Sequence, residues 1–256
     1  MGFRFKCYIE LKQTLGEIDS IVESIELATR EFIEIVSANG IDSISDNITK
    51  LSTKHNIRVN HVNIAKFEDR VIKLHIINVY EQLENYLKSL SEEHPNFQTN
   101  INKKDGETDL DYSIRVLKKD KVLKDTIEYL IINHYREIRN TFIHSSDENK
   151  YKYINRIMKK IKNMQYNSLS APNKSNEMNF DDFILFTRAI KDFAKLINQH
   201  CQPTDEYIIE TIKEKYITKL KKLSNNIKRK ENFIKQLLKI EYNLSDKKFV
   251  EQIMGN

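Results

Sequence analysis

The sequence predicts an all-α protein, and two features of its composition support this fold class. The chain has 256 residues but only five glycines and three prolines, fewer than the tight turns of a β-protein normally need. Hydrophobic residues make up 39% of the chain and charged residues 31%, which suits amphipathic helices that each bury one apolar face. We therefore expect a helical bundle with a long C-terminal helix.

Apolar residues recur at three- and four-residue intervals in five segments, and each segment is predicted to be a helix. The breaks between them contain residues that end helices, such as Asn39-Gly40 and His94-Pro95. Asn179 is a predicted N-cap with acidic residues in the turn after it. In chain order, the predicted helices cover residues 11–37, 60–91, 121–144, 179–200 and 203–241.

The polar segment 95–117 has no helical periodicity and is predicted to be a loop insertion, either mobile or involved in recognition. We expect residues 1–200 to form a helical bundle and residues 201–256 to form a long helix. Its apolar spacing is consistent with a coiled coil and equally with a single packed helix. Glutamates lie among the basic residues of 206–239, which favours an oligomer or partner contact.

Several classes of protein and of site are not expected. No apolar run is long enough to span a bilayer and none at the N-terminus resembles a signal peptide, so we expect a cytoplasmic protein with no membrane partner. Cys7 and Cys201 are too far apart in sequence to indicate a zinc site or a disulfide framework. The histidines are scattered and the glycines do not cluster, so neither a metal nor a cofactor is predicted. The net charge of +5 permits a polyanionic partner without requiring one.

The end of the predicted helix 121–144 carries the residues that point to chemistry. At about 100° per residue, one side of this helix is apolar. The apolar side consists of Ile127, Ile131, Tyr135, Ile138 and Phe142. The opposite side carries Asn133, Arg136, Asn140 and His144, and Arg139 lies between the two sides.

These residue types suit cleavage of RNA by its own 2′-hydroxyl group. That reaction needs a group that exchanges protons near neutral pH and a fixed cation beside the pentacoordinate phosphorus, and it needs no metal. A histidine titrates in this range, and an arginine offers a charged fork to phosphate oxygens. His144 is the candidate general acid or base, Arg139 the stabilising cation, and Asn140 an orienting partner one turn before His144.

The stretch Arg139-Asn140-Thr141-Phe142-Ile143-His144 resembles the R-x4-6-H signature of the HEPN superfamily, in the form in which a polar residue follows the arginine. The resemblance extends over about residues 11–200. Members are compact all-α bundles, and many are metal-independent endoribonucleases of toxin, anti-phage or RNA-processing systems. The resemblance implies a homodimer that pools two histidines and two arginines. It also implies single-stranded RNA or a tRNA loop as substrate, and an antitoxin or other defence-system protein as partner.

A second pair with the same spacing, Arg70 and His75, lacks the asparagine after the arginine. His75 is flanked by apolar residues, so we interpret it as a packing residue.

Residues 150–162 contain six basic residues and no acidic one. A solvated face is the commoner meaning of such a run, but its position after His144 and its tyrosines favour a groove for RNA phosphates and bases. The predicted RNA-binding residues are Arg136, Lys150, Lys152, Tyr153, Arg156, Lys159 and Lys160.

Two alternative functions and a structural interpretation of the motif remain open. The chain can be a HEPN-like binding or sensor subunit that does not cleave RNA, or a helical interaction protein that uses its last helix as a coiled coil. In the structural interpretation, the helix dipole stabilises His144 and Arg139 pairs with Glu137 or Asp147.

Overall fold

The computed structural model describes residues 2–38, 40–60, 62–99, 101–143, 148–163 and 169–255, without the side chains of 148–151 and 163. It is 77% helical and the described residues include no strand, which confirms the all-α fold class. None of the described helices combines the length and apolarity needed to cross a bilayer. The α-helices are α1 (Lys6–Ser37), α2 (Ile44–His55), α3 (Phe67–Glu93), α4 (Asp109–Val116), α5 (Asp120–Leu123), α6 (Ile127–Ile143), α7 (Glu148–Asn163), α8 (Phe180–His200), α9 (Asp205–Lys215), α10 (Ile217–Lys222), α11 (Ile227–Tyr242) and α12 (Lys247–Met254).

The chain divides into two compact units whose bounds differ from the predicted division at residue 200. The motif unit, named after the Arg139 motif, consists of Thr14–Glu81 and Ile127–Ile190. The terminal unit consists of Met1–Gln13, Gln82–Thr126 and Lys191–Asn256. Helices α6 and α7 both belong to the motif unit, so all the predicted site residues that the structure describes belong to it as well.

The core of the motif unit is formed by apolar residues of α3, α6 and α8 that lie three or four positions apart. In α8 the apolar spacing predicts Phe183, Phe186, Ile190, Phe193 and Ile197 as inward residues, and all five are fully buried. In α3 the same kind of spacing predicts Leu74 as an inward residue, and this is wrong, because Leu74 is 58% exposed. Two overlapping apolar stripes run along this part of α3, and the core uses the other one. The main core residues are Ile72, Ile76, Val79, Ile131, Tyr135, Ile138, Phe183, Phe186 and Ile190.

Helix α2 forms between the predicted helices 11–37 and 60–91, where no helix was predicted. None of its residues is buried, so it lacks the strong apolar pattern that reveals a helix. Its end is defined by Asn56, whose left-handed conformation (φ 53°) lets its N–H reach the carbonyls of Ser52 and Thr53.

The terminal unit has its own buried core and its own polar contacts. The side chain of Asn198 accepts a hydrogen bond from the backbone N–H of Phe5 at 2.9 Å. His94 Nε2 lies 2.8 Å from the carbonyl oxygen of Cys201. Both cysteines are buried and free. The core includes Phe5, Leu87, Leu90, Leu110, Ile114, Phe193, Ile197, Ile208 and Ile234.

The predicted insertion at 95–117 contains helix α4 and is therefore not all loop. Thr108 caps this helix by accepting a hydrogen bond from the N–H of Asp111 at 3.0 Å. Leu110 and Ile114 are buried, and Arg115 pairs with Glu107 at 2.7 Å. A helix of eight residues contains too few apolar positions for its period to stand out in sequence.

The predicted long C-terminal helix is wrong, because residues 203–241 form three helices. Helix α9 ends at Lys215 with Tyr216 as its C-cap, and residues 223–226 separate α10 from α11. The side chain of Asn226 accepts a hydrogen bond from the N–H of Arg229 at 2.9 Å and so starts α11. Serine and asparagine in this segment favour a turn by bonding to nearby backbone groups.

Candidate functional site

Helix α6 is covered on more than one side, which contradicts the predicted division into an apolar and a polar face. Its five consecutive residues 131–135 are all buried. Asn133, predicted on the polar side, is only 6% exposed, and its Nδ2 donates to the carbonyl of Tyr129 at 3.0 Å. Phe142, predicted on the apolar side, is 42% exposed. The division fails because α7 packs against α6 and covers part of the side that was expected to face solvent.

A buried carboxylate anchors α6 one turn before Arg139. The hydroxyl of Tyr135 donates to Asp182 Oδ1 at 2.8 Å, and neither side chain is exposed. The carboxylate of Asp182 accepts three more hydrogen bonds. Asn173 donates two of them, from its backbone N–H at 2.9 Å and from its Nδ2 at 2.8 Å, and the backbone N–H of Asn179 donates the third at 3.0 Å. Such a network holds the rotation and position of α6, because each broken bond would leave a buried polar group without a partner.

His134 fills the space between α6 and α7. Its side chain is fully buried, and neither ring nitrogen has a hydrogen-bond partner of good geometry within the ranges described. Burial lowers the pKa of His134 to about 4, against a smaller opposing effect from the backbone of Ile154 in α7. The imidazole is therefore neutral at physiological pH and acts as a packing group.

The guanidinium of Arg139 is held at the C-terminal end of α6 by an aromatic ring. Its Cζ lies 5.1 Å from the centroid of the Tyr80 ring on α3, which is a cation–π distance. Its Nη1 donates to Asn140 Oδ1 at 3.3 Å, whereas its buried Nε has no partner among the described residues. In the same part of the chain, no carboxylate forms an ion pair with it, and Glu137 pairs with Arg136 instead. Arg139 therefore keeps donor capacity for an anion.

Arg136 is less available to an anion than the sequence analysis expected. Its Nη2 lies 2.7 Å from Glu137 Oε1, and the two side chains are only 18% and 16% exposed. A half-buried pair of this kind already satisfies the charge of the arginine. The carboxylate of Glu137 would therefore compete with an RNA phosphate for Arg136.

The side chains of two predicted site residues, His144 and Lys150, lie outside the described part of the structure. His144 lies outside the described residues, and so does Asp147, the alternative partner of Arg139. Lys150 is within helix α7, but its side chain is outside the described part. The separation between the Arg139 guanidinium and the His144 imidazole therefore stays a prediction.

Helix α7 presents a basic face to solvent. Its buried stripe consists of Ile154, Ile157 and Ile161, which are at most 5% exposed. The predicted RNA-binding residues of α7 whose side chains are described are all exposed. The Arg156 guanidinium lies 5.4 Å from the centroid of the Tyr153 ring, which is itself 40% exposed. These predicted residues are Lys152, Tyr153, Arg156, Lys159 and Lys160, and Lys162 of the same helix is exposed as well.

The second arginine–histidine pair does not form a comparable site. Arg70 is exposed, whereas His75 lies beside the packing face with its ring centroid 6.1 Å from that of Phe183. Burial lowers the pKa of His75, and its Nε2 is buried without a partner in the described ranges. These features agree with the interpretation of His75 as a packing residue.

Sequence reasoning missed two residues that support the candidate site, Tyr80 and Asp182. Tyr80 gives no local signal, because an aromatic residue in a long helix does not indicate which cation it will meet. Asp182 was interpreted only as an acid that favours the first turn of α8. The side-chain amide of Asn173, which donates to Asp182 Oδ2, provides only a weak signal, because an asparagine can donate to many kinds of acceptor.

Neither a metal centre nor a known relative adds to this description. Within the ranges described, no group of three or more histidine, cysteine, aspartate or glutamate side chains is arranged to hold a metal ion. Comparisons of the chain with protein-family models, curated proteins and solved structures find no match.

Proposed function

We propose that this protein is a metal-independent endoribonuclease with a HEPN-like bundle, and that its site lies at the end of α6. The observation that carries the proposal is the Arg139 guanidinium, stacked on Tyr80 next to Asn140 and not neutralised by any described carboxylate. An arginine with unfilled donor groups is suited to a phosphate that gains negative charge. Five residues later in sequence, His144 supplies a group that titrates near neutral pH.

The proposed reaction needs only these groups and the RNA. A histidine removes the proton of the 2′-hydroxyl, and the 2′-oxygen forms a bond to the adjacent phosphorus. The bond from phosphorus to the 5′-oxygen breaks, and a second histidine gives that oxygen a proton. Arg139 stabilises the charge on the pentacoordinate phosphorus, and the products carry 2′,3′-cyclic phosphate and 5′-hydroxyl ends.

Since one chain offers a single histidine in this motif, the proposal includes a homodimer that combines two motifs. Phe142 and Ile143 support this step, because they are 42% and 46% exposed at the end of α6. Apolar side chains next to the motif are suited to burial against a second copy of the chain. A toxin or anti-phage role, with a restraining partner protein, is part of the same proposal and rests on the family resemblance.

The test is cleavage of single-stranded RNA by the purified protein in EDTA. We expect fragments with 5′-hydroxyl ends, and no cleavage of 2′-O-methylated RNA. Arg139→Ala should lower the rate at least about 100-fold, the usual cost of removing a donor that stabilises the transition state. His144→Ala should lower it by a similar or larger factor.

Arg70→Ala and His75→Gln are matched controls, because Arg70 and His75 are an arginine and a histidine with the same spacing in sequence as Arg139 and His144. Both should retain activity, and circular dichroism should show unchanged helix content in all four variants. Cleavage that requires a divalent metal, or that survives in both Arg139→Ala and His144→Ala, would exclude the proposed mechanism. RNA binding without any cleavage would favour the alternative, a non-catalytic RNA-binding subunit.

A further inference from the structure

The terminal unit has a concentration of positive charge around the break in the predicted C-terminal helix. We define the hairpin tip as residues 217–230, which comprise α10, the turn at 223–226 and the start of α11. It contains six cationic side chains and no acidic one. Since the net charge of the whole chain is +5, the rest of the chain is slightly acidic. The six cations are Lys219, Lys221, Lys222, Lys228, Arg229 and Lys230.

Contacts from the junction of α9 and α10 hold α11 beside this junction. The hydroxyl of Tyr216 donates to Glu241 Oε1 at 2.7 Å, and Lys215 Nζ lies 2.9 Å from Glu241 Oε2. The rings of Tyr216 and Phe233 pack edge to face with centroids 6.0 Å apart. Glutamates 206, 210, 214 and 231, which lie among the basic residues in sequence, all fall outside the tip. The acidic residue nearest to the tip in sequence is Glu231, which pairs with Lys235.

The cations of the tip are available to a partner. In the described parts of the chain, none of the six forms an ion pair with a carboxylate; the neighbouring pairs there are Lys215–Glu241 and Lys235–Glu231. Five of the six are exposed, and Lys230 is half-buried. Lys219 Nζ lies 4.5 Å from the centroid of the Phe233 ring, which restricts its ammonium group without neutralising it.

We propose that the hairpin tip binds the phosphate backbone of RNA, as a second RNA-binding surface that belongs to the terminal unit. Unpaired, exposed lysines and arginines that lie close together are the groups that replace counterions along a polyphosphate. The exposed side chains of Ser224 and Asn225 in the turn add neutral donors for phosphate and 2′-hydroxyl oxygens. This binding does not depend on whether the end of α6 cleaves RNA.

An anionic membrane is a poorer fit to the hairpin tip than RNA. A helix that lies on a membrane needs a free apolar face, whereas the apolar faces of α10 and α11 are buried within the terminal unit. Leu220, Ile234 and Leu237 are at most 8% exposed. Ile217 and Ile227 are exposed at the tip, but two single side chains do not form an apolar face.

The experiment measures binding of the whole protein to a labelled, single-stranded, 2′-O-methylated RNA by fluorescence anisotropy in EDTA. This RNA cannot be cleaved by 2′-hydroxyl attack, so the result is independent of the proposed nuclease activity. The tip variant combines Lys221→Gln, Lys222→Gln and Lys228→Gln. If each lysine contacts one phosphate, the slope of log K against log salt should become less steep by about 2. Between 50 and 200 mM salt, the affinity of the wild type should fall by a factor about 20 times larger than that of the variant. At 50 mM salt, the variant should bind at least about 100-fold more weakly than the wild type.

The matched control combines Lys50→Gln, Lys54→Gln and Lys195→Gln, which remove the same charge at exposed positions outside the tip. It should bind RNA like the wild type. Equal binding by the tip variant and the control would overturn the proposal. So would a tip variant that binds RNA normally but loses binding to vesicles of phosphatidylcholine and phosphatidylserine. If the wild type fails to cleave RNA but the tip variant shows the expected loss of binding, the nuclease proposal fails and this one stands.

Discussion

Acidification should weaken the packing of α7 on α6 through His134, and the expected size of the effect follows from its burial. The side chain is fully buried, and its ring nitrogens have no partner of good geometry among the described residues. Burial lowers the pKa of His134 from 6.5 to about 4. Protonation therefore requires either a buried, unpaired charge or a local opening of the contact with α7.

The sign of the effect follows from proton linkage. The unfolded chain, with an ordinary pKa for this imidazole, binds the proton more readily than the folded chain does. The contribution of neutral His134 to stability is therefore complete above pH 6.5 and is lost as the pH falls from 6.5 towards 4. The full difference between the two pKa values corresponds to about 3 kcal/mol, of which about 2 kcal/mol should be lost at pH 5.

Urea unfolding at pH 7 and pH 5, followed by circular dichroism, measures this loss. Between these pH values the wild type should lose about 2 kcal/mol more of its free energy of unfolding than His134→Gln, whose side chain does not titrate. His55→Gln is the control, because His55 is exposed, and it should lose as much as the wild type. Equal losses in the wild type and His134→Gln, or an NMR titration of His134 near pH 6.5, would refute the reasoning.

Two further predictions concern the support of Arg139 and the segment 95–117. Tyr80→Leu should lower the rate of RNA cleavage about threefold to tenfold, because it removes the cation–π contact with Arg139, whereas Tyr80→Phe keeps the ring and most of the rate. A larger loss with Tyr80→Phe than with Tyr80→Leu would contradict this role of the ring. Leu110→Ala should lower the free energy of unfolding by about 2 to 5 kcal/mol in urea titrations, because Leu110 is buried at 1% exposure in α4. A change below about 0.5 kcal/mol, as expected for a surface residue, would mean that α4 does not pack as described.

The long amphipathic helices could be predicted from sequence, and the short or polar ones could not. The pattern over 179–200 predicted the buried side of α8 correctly, because its aromatic and branched residues repeat over five turns. Helix α2 has no buried residue, and α4 has only eight positions, so neither gives a strong period. The break between α10 and α11 was missed because apolar spacing continues across it. The two asparagines in the turn were the only local signal.

The residues of the candidate site could be predicted from the sequence, but their burial and their bonding partners could not. Arg139, Asn140 and the basic face of α7 follow from motif and charge pattern. The pairing of Arg136 with Glu137 could not be foreseen, because adjacent residues on a helix do not normally face each other and Glu137 also has Arg139 within reach in the sequence. The burial of Asn133 and His134 depends on α7 returning over α6, which is a tertiary contact and leaves no trace in the periodicity of α6 alone.

The hydrogen bonds that Asp182 accepts strongly restrict which amino acid can occupy position 182. Each of its two oxygens accepts two hydrogen bonds: Oδ1 from Tyr135 and the Asn173 backbone, and Oδ2 from Asn173 Nδ2 and the Asn179 backbone. An asparagine would turn an amide NH₂ towards two donors, and a glutamate would be one methylene too long for this enclosed position. Any chain that anchors α6 in this way therefore needs both the tyrosine four residues before the arginine and an aspartate near the start of α8.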